Sequence, residues 1–426
     1  MKLLCAPLDF NFKSGKPRDL EVILYNHPDS QRRGGAGANI REVFKRLELK
    51  PEPRAWDFLS IALSIIAADT AVQRDKSPDG WTREIELQIA VADPKFWTAQ
   101  ADTLLNALRF LTTDIWSLKF LPGGLLPVPP KHAKLPDEDC VALLSGGLDS
   151  LIGALDLTEK HKRKPYLVSQ VSVGDKKKQK YFALKIAGGL SHLQLNHVVN
   201  CPGDNERSQR SRSIIFLAYG VLLATSLRQY HLGKPVTLYV CENGFISINP
   251  PLTEMRSGSL STRTTHPVYL NLIQELLDAA KMNVRIENPY QFKTKGDMLR
   301  ECADQTFLAK QAANTTSCGR YARNGFKHCG RCVPCLIRRA AFHAWKKSDK
   351  TDYVYDMLSK NDKDHAGFDD VRAAGIAIAK VAADGLKPWL RSSLTSRFIK
   401  DPAPYQDVAG RGLDELQRFL KAAGVK

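Results

Sequence analysis

The hexapeptide Ser145-Gly146-Gly147-Leu148-Asp149-Ser150 is the part of the chain best suited to hold phosphate groups. It follows an apolar run at 141–144, predicted as a strand, and precedes a predicted helix over 149–157. Glycines let the backbone approach an anion, free N–H groups at the helix start attract it, and the serine hydroxyls can donate hydrogen bonds. Asp149 would repel phosphate unless it caps the helix or helps to hold Mg²⁺. A simple N-capped helix is the alternative interpretation, and no G-x-x-x-x-G-K-[ST] pattern is present.

A second cluster of reactive side chains lies about 170 residues later in the chain. Its members share the spacing Cys-x₁₀-Cys-x₂-Cys-x₂-Cys and are Cys318, Cys329, Cys332 and Cys335. Four thiolates favour a closed, tetrahedral, structural zinc site, because a catalytic zinc keeps an open position. An iron–sulfur cluster or a redox dithiol would use the same ligands. Arg338 and Arg339 follow the cluster, either near a bound anion or as surface charges.

The elements that must position these residues form three predicted regions. Residues 1–135 are expected to form an α+β accessory domain, with strand-like runs at 56–71 and 83–91 and a helix over 96–111. Residues 136–345 alternate strands and helices, which predicts a mainly parallel, doubly wound α/β sheet with ligands at the carboxyl ends of its strands. Residues 346–426 are expected to be a helical extension. The further elements predicted are strands at 165–173, 196–201, 236–240 and 284–287, and helices at 213–229, 266–280, 370–384 and 408–422.

Composition restricts the function classes without choosing one. The net charge of +17 favours anionic partners, namely nucleotides, nucleic acid or an acidic protein surface. No secretory signal and no membrane span is expected, and nine cysteines in 426 residues are not typical of a disulfide framework. A cytoplasmic location is therefore predicted, with nucleic acid as a partner that is not favoured.

The hexapeptide resembles the phosphate loop of the PP-loop ATP pyrophosphatases, which cleave ATP between the α- and β-phosphates and adenylate a substrate oxygen. Together with three further segments it resembles the 7-cyano-7-deazaguanine synthase family, QueC. Those segments are Ser211-Arg212-Ser213-Ile214-Ile215-Phe216-Leu217, Lys293-Thr294-Lys295, and Cys318 through Arg338. The resemblance implies an ATP-dependent carbon–nitrogen ligase that activates 7-carboxy-7-deazaguanine. It implies that Ser145, Gly146, Gly147, Leu148, Asp149 and Ser150 hold ATP with Mg²⁺, that Asp149, Arg212 and Lys293 are catalytic, and that the four cysteines hold zinc.

The chain departs from that family beside the expected substrate site. A Tyr-Pro-Asp-Cys-Arg segment is replaced by residues 242–251, followed by the segment 261–267, and both outer regions are additional. These features resemble the QueC-like proteins of bacterial antiphage systems, of the QatC type, which implies transfer to an amine, possibly on a partner protein. Candidate substrate residues are Glu242, Asn243, Arg263 and His266, each with a structural alternative. The alternatives in function are the synthase of queuosine biosynthesis, with ammonia as acceptor, a tRNA-binding PP-loop modifier, and a nucleotide sensor.

Overall fold

A computed structural model describes residues 1–12, 19–253, 263–358 and 370–425. The strands are β1 Lys2–Pro7, β2 Asp19–Leu24, β3 Gly34–Ala36, β4 Glu84–Ala90, β5 Ile115–Leu121, β6 Cys140–Leu143, β7 Pro165–Gln170, β8 His192–Leu195, β9 Val199–Asn200, β10 Val236–Tyr239 and β11 Val284–Glu287. The helices are α1 Ile40–Arg46, α2 Pro53–Ala71, α3 Pro94–Ala99, α4 Ala101–Thr112, α5 Leu148–Glu159, α6 Lys176–Lys185, α7 Ser213–Ala224, α8 Arg228–His231, α9 Gly244–Ser247, α10 Pro267–Ala279, α11 Lys295–Glu301, α12 Gln305–Gln311, α13 Val333–Trp345, α14 Asp370–Asp384, α15 Leu386–Leu394 and α16 Ala403–Ala422.

The middle region contains the predicted parallel sheet, in the order β11-β10-β6-β7-β8. Neighbouring residues of its strands face two different hydrophobic clusters: Val141 belongs to one, with α7, and Ala142 to the other, with α5. Helices therefore cover both faces, which makes the sheet doubly wound. The strand order reverses between β6 and β10, so the segments that follow these two strands meet at one edge, where ligands of such sheets bind.

The N-terminal region forms a second sheet in the order β5-β4-β1-β2-β3-β9. Its strands β1 to β5 pair in parallel, whereas β9 pairs antiparallel with β3. Helix α2 packs against this sheet on one side and against α7 on the other, and α7 packs against β6, β7 and β10. The two sheets are thus joined through two layers of helix.

Helix α2 overturns one sequence prediction, because the run at 56–71 was expected to be a strand. Its residues are buried nearly all round the helix, from Ala55 to Thr70, since they lie between a sheet and α7. A helix buried on all sides shows no amphipathic period, so its apolar run is indistinguishable by pattern from a buried strand. Its length and Pro53 at the first turn are the features that favour a helix.

A second prediction is corrected at residues 196–201, which were expected to form a strand of the middle sheet. That strand is β8, which ends at Leu195, and the short β9 leaves the middle sheet and pairs with β3 instead. The helix predicted over 96–111 is divided at Gln100 into α3 and α4. The other predicted elements are confirmed in type, with the strand at 165–173 ending at Gln170, the helix at 213–229 ending at Ala224 and that at 408–422 starting earlier, at Ala403. None of the helices in the described ranges is both long and apolar enough to cross a membrane.

The predicted limits of the three domains stay a prediction. One hydrophobic cluster contains buried residues from all three regions, among them Leu63, Leu222 and Leu416. The outer regions therefore share apolar contacts with the middle region.

A buried ionic network joins the N-terminal region to the start of α7. The guanidinium of Arg83 contacts the carboxylates of Asp69 and Asp114, each at 2.6 Å, and all three side chains are excluded from solvent. The second oxygen of Asp69 accepts hydrogen bonds from the N–H groups of Arg210 and Ser211 and from the Ser211 hydroxyl, at 2.6–2.8 Å. Asp69 thus fixes the backbone immediately before Arg212.

We predict that Asp69→Ala destabilises the fold by about 3–5 kcal/mol, because it removes one of the two carboxylates paired with the buried Arg83 and leaves three further buried donors without their acceptor. Urea unfolding followed by circular dichroism measures the change. The control is Glu275→Ala, which breaks an ion pair with Arg397 whose side chains are 47% and 71% exposed. Its cost should be at most about 1 kcal/mol. Equal losses in the two variants would contradict the prediction.

Candidate functional site

The loop 145–150 joins β6 to α5 and is stabilised by its own hydroxyl groups. The Ser145 and Ser150 hydroxyl oxygens lie 3.0 Å apart, the Gly147 N–H donates to Ser145 Oγ at 3.2 Å, and Ser150 Oγ donates to the Gly147 carbonyl at 3.0 Å. Gly146 has a φ of +88°, which is strained for any residue with a side chain. The conformation of the loop therefore depends on this glycine and on the hydrogen bonds of the two serine hydroxyls.

The negative charge of Asp149, which would repel phosphate, is compensated by neighbouring groups inside the protein. One of its oxygens is paired with the ammonium of Lys295, and the other accepts from the backbone N–H and the side-chain amide of Asn243, at 3.1 and 2.7 Å. Although burial opposes ionisation, the Lys295 ammonium and these donors hold the pKa of Asp149 well below its ordinary value. The negative charge at the start of α5 is thus balanced before any ligand binds.

Glu242 completes this network beside Asp149. The Asn243 amide donates to Glu242 Oε1 at 3.1 Å, and Asn243 also caps α9 by accepting from the Ile246 N–H at 3.0 Å. Burial and the adjacent Asp149 carboxylate raise the pKa of Glu242 well above its ordinary value. The charge of Asp149, which follows β6, therefore disfavours a second negative charge on Glu242, which follows β10.

We predict that Glu242→Gln becomes progressively more stable than the wild type as pH rises from the ordinary glutamate pKa, about 4.3, toward the raised pKa of the folded protein. In that range the folded wild type keeps a proton that the unfolded chain releases, so wild-type stability falls with pH, and glutamine removes this dependence. Thermal unfolding across the pH range measures the difference. The control, Glu287→Gln, changes an exposed carboxylate on β11 and should stay parallel to the wild type. Parallel curves for both variants would refute the assignment.

Two cavities meet at the loop. A polar cavity of about 290 Å³ lies against Asp149, Glu242, Lys295 and the segment 316–319. A more apolar cavity of about 360 Å³ lies between the ends of β6 and β7 and the start of α7, where Phe216 is part of its wall. Both are lined by Ser145, Ser150, Cys241, Glu242, Thr264 and Thr265. Two small molecules bound in them would therefore approach each other beside the phosphate loop.

The four predicted metal ligands converge. Their sulfur atoms all lie within 4.8 Å of one another, with separations of 3.8 Å between Cys318 and Cys332 and 3.9 Å between Cys329 and Cys335. Tetrahedral Zn–S bonds of about 2.3 Å place sulfurs about 3.8 Å apart, so the set fits a single zinc ion. A cluster of several irons requires wider spacing. With four thiolates bound to zinc no coordination position stays open, so the site is structural.

Backbone donors and a buried arginine hold the cysteine segment against the phosphate loop. Cys318 Sγ accepts from the N–H groups of Arg320 and Cys329, both at 3.3 Å. The guanidinium of Arg338 is fully buried and donates to Thr315 Oγ1 at 2.9 Å and Ser317 Oγ at 3.1 Å, so it is a structural residue and not an anion ligand. Thr316, which lies between Thr315 and Ser317 in the chain, donates its N–H to the Gly146 carbonyl at 3.0 Å. The cysteine cluster thereby supports one wall of the polar cavity.

We predict that the purified protein contains zinc in equimolar amount and that Cys332→Ala loses it. Removing one of four thiolates should also loosen the segment 315–319, since a structural zinc contributes directly to folding. Elemental analysis measures the metal, and hydrogen exchange measures the segment. Cys201→Ala, another buried cysteine outside the cluster, is the control and should keep its zinc. Full zinc content in Cys332→Ala would contradict the four-cysteine site.

The structure brings some of the predicted site residues together and places others elsewhere. Arg212 lines the apolar cavity, whereas Lys293 is paired with Glu301 and does not line either cavity. Arg263 donates to the Phe110 carbonyl at 3.3 Å. His266 is buried and caps α10, with its second ring nitrogen 3.0 Å from the Ser393 carbonyl.

The catalytic roles of Arg212 and Lys293 stay predictions, as does a substrate contact for Arg263. Ser261 and Thr262 lie outside the described residues. Sequence reasoning missed Lys295 and Thr316; the Lys293-Thr294-Lys295 run was noticed, but its spacing alone does not tell which lysine faces the loop.

Comparison with known proteins supports the resemblance over part of the chain. Residues 264–346 match the family described as "Queuosine biosynthesis protein QueC". The 7-cyano-7-deazaguanine synthase of Paracoccus denitrificans (strain Pd 1222) is 36% identical over 92 residues, or 20% of this chain and 36% of that protein. That of Rhizobium etli (strain CIAT 652) is 37% identical over 90 residues, with the same shares. The chain thus spans about a third of these relatives, and no solved structure matches it significantly.

The matched segment contains Lys295 and the four cysteines, so the QueC-like resemblance is confirmed there. The phosphate loop lies outside it.

Proposed function

We propose that this QueC-like protein uses ATP to adenylate the carboxylate of a 7-deazaguanine-type substrate and then passes the acyl group to an amine. The observation that best supports this proposal is that two cavities meet at the loop 145–150. One cavity is apolar, and the other is lined by Lys295 and Glu242. The substrate class comes from the name of the curated relatives, and the match to the QueC family covers residues 264–346, which include part of the wall of the polar cavity.

In this proposal the apolar cavity takes the adenine ring and the loop takes the phosphates. Backbone N–H groups at the start of α5 face the phosphates, and Arg212, which lines the apolar cavity, adds positive charge there. The substrate lies in the polar cavity, with its carboxylate toward Lys295. A carboxylate oxygen attacks the α-phosphorus, the bond to the β-phosphate oxygen breaks, and pyrophosphate leaves. The protein contributes positioning and charge neutralisation, since no proton is transferred in this step.

We expect Mg²⁺ to bind with ATP beside the loop, where Glu242 borders both cavities and its carboxylate is a hard oxygen donor of the kind this ion prefers. Both oxygens of Asp149 are already engaged by Lys295 and Asn243. Bound there with ATP, the ion would neutralise phosphate charge.

The second step needs an amine that attacks the acyl carbon and displaces AMP, with loss of a proton from nitrogen. Ammonia is the acceptor implied by the resemblance to the 7-cyano-7-deazaguanine synthase family; its attack gives an amide, and a second ATP is then needed to remove the amide oxygen and form a nitrile. The replaced segment at 242–251 and the additional outer regions favour a different amine, on a partner protein, as in the antiphage systems that the sequence resembles. Mass spectrometry of products formed with and without ammonia distinguishes the two: a free amide or nitrile supports the first, and an adenylate that accumulates supports the second.

We predict that Lys295→Gln lowers AMP formation from ATP and 7-carboxy-7-deazaguanine by about 10²–10³-fold, because a charged donor at the reacting carboxylate is lost. Lys293→Gln is the matched control two residues away and should stay within about 3-fold of the wild type, as its ammonium contacts Glu301. AMP is measured by chromatography, and zinc content verifies that both variants are folded.

Two outcomes would overturn the proposal. If the wild type forms no AMP with any 7-deazaguanine carboxylate, the proposed substrate class is wrong. If Lys293→Gln is the impaired variant and Lys295→Gln is not, the assignment of the polar cavity as the reacting site is wrong.

A further inference from the structure

The C-terminal helix α16 contacts both segments that surround Asp149. Gly412 packs directly on the ring of Phe245 in α9, so closely that a methyl group at position 412 would collide with the ring. One turn later, Glu415 packs on Gly296 in α11, where a methyl group would collide with the carboxylate. The helix therefore lies against the segments that begin with Asn243 and with Lys295, neither of which belongs to the C-terminal region.

Glu415 makes the polar part of this contact. Its Oε1 accepts from the Thr294 hydroxyl at 2.7 Å, and its Oε2 accepts from the Gly296 N–H at 3.3 Å. The guanidinium of Arg300 lies 3.5 Å from the same carboxylate, and the glutamate side chain is only 14% exposed. These contacts fix the carboxylate on the first turn of α11.

The hydrogen bond from the Thr294 hydroxyl to Glu415 fixes the direction of the single hydroxyl proton of Thr294. Because that proton is donated to Glu415, the lone pairs of Thr294 Oγ1 are free to accept from the Asp297 N–H, at 3.0 Å. Asp297 in return accepts from the Thr294 N–H at 2.9 Å, which completes a reciprocal cap of α11. The residue that follows Thr294 is Lys295, the partner of Asp149.

We propose that Glu415 is a positioning residue for the reaction: it orients the Thr294 cap and thereby holds the Lys295 ammonium at the phosphate loop. This inference rests on the proposed function and assigns the C-terminal helix a part in the site. Glu415 itself does not line either of the two cavities that meet at the loop, so it acts through Thr294 and Lys295 and not on a ligand.

The test compares Glu415→Ala, Glu415→Gln and the control Asp414→Ala in the full-length, zinc-loaded protein. Asp414 is the preceding residue of the same helix and is exposed. We expect Glu415→Ala to lower kcat for AMP formation by about 10-fold or more while KM for ATP changes by less than about 2-fold, since the interaction lost acts on the reacting groups. Glu415→Gln should recover part of kcat, because its amide oxygen still accepts the Thr294 proton. Asp414→Ala should match the wild type.

Hydrogen exchange of residues 294–299 is a second readout that requires no turnover. Faster exchange there in Glu415→Ala, with the cysteine segment unchanged, is expected. Unchanged exchange and unchanged kcat in Glu415→Ala would overturn the inference, as would equal losses of kcat in Glu415→Ala and Asp414→Ala. If the wild type forms no AMP, the proposed function fails, and the exchange result alone decides whether Glu415 orders the cap before Lys295.

Discussion

The ion pair between Asp149 and Lys295 is the interaction on which the site depends. Burying a carboxylate at the start of a helix that is proposed to bind phosphate costs free energy unless a nearby cation compensates the charge. The two residues are 146 positions apart in the chain, and both side chains are about 6% exposed. Because the pair is buried, losing either partner would leave an isolated charge, so every segment that positions Lys295 also protects the loop.

The supports of this pair come from all three regions of the chain. The reciprocal cap at Thr294 fixes Lys295, and the C-terminal helix packs on that cap. The cysteine cluster holds the segment that contacts the Gly146 carbonyl. In the N-terminal region, Asp69 fixes the backbone that precedes Arg212. The outer regions therefore do more than extend the surface: they hold the walls of the cavities.

The charge distribution suits a reaction between two anions. ATP and a carboxylate repel each other, and a site that joins them must supply positive charge without displacing its own counterions. Here Asp149 is already paired with Lys295, and its charge disfavours ionisation of Glu242, which limits the net negative charge of the network around the loop. Arg212 and the N–H groups at the start of α5 then remain for the phosphates.

The sequence alone predicted the strand, loop and helix around residues 145–150, the convergence of the four cysteines, and the parallel sheet of the middle region. These features depend on local chemistry: glycine conformation, thiolate spacing, and apolar runs of strand length bounded by turns. The tertiary structure alone decided that the 56–71 run is a helix, because burial on all sides removes the amphipathic pattern. It also decided that Lys295 and not Lys293 contacts Asp149, and that His266 caps a helix. Which lysine faces a loop 146 residues away depends on how α11 packs against α5, and no local pattern in the sequence records that arrangement.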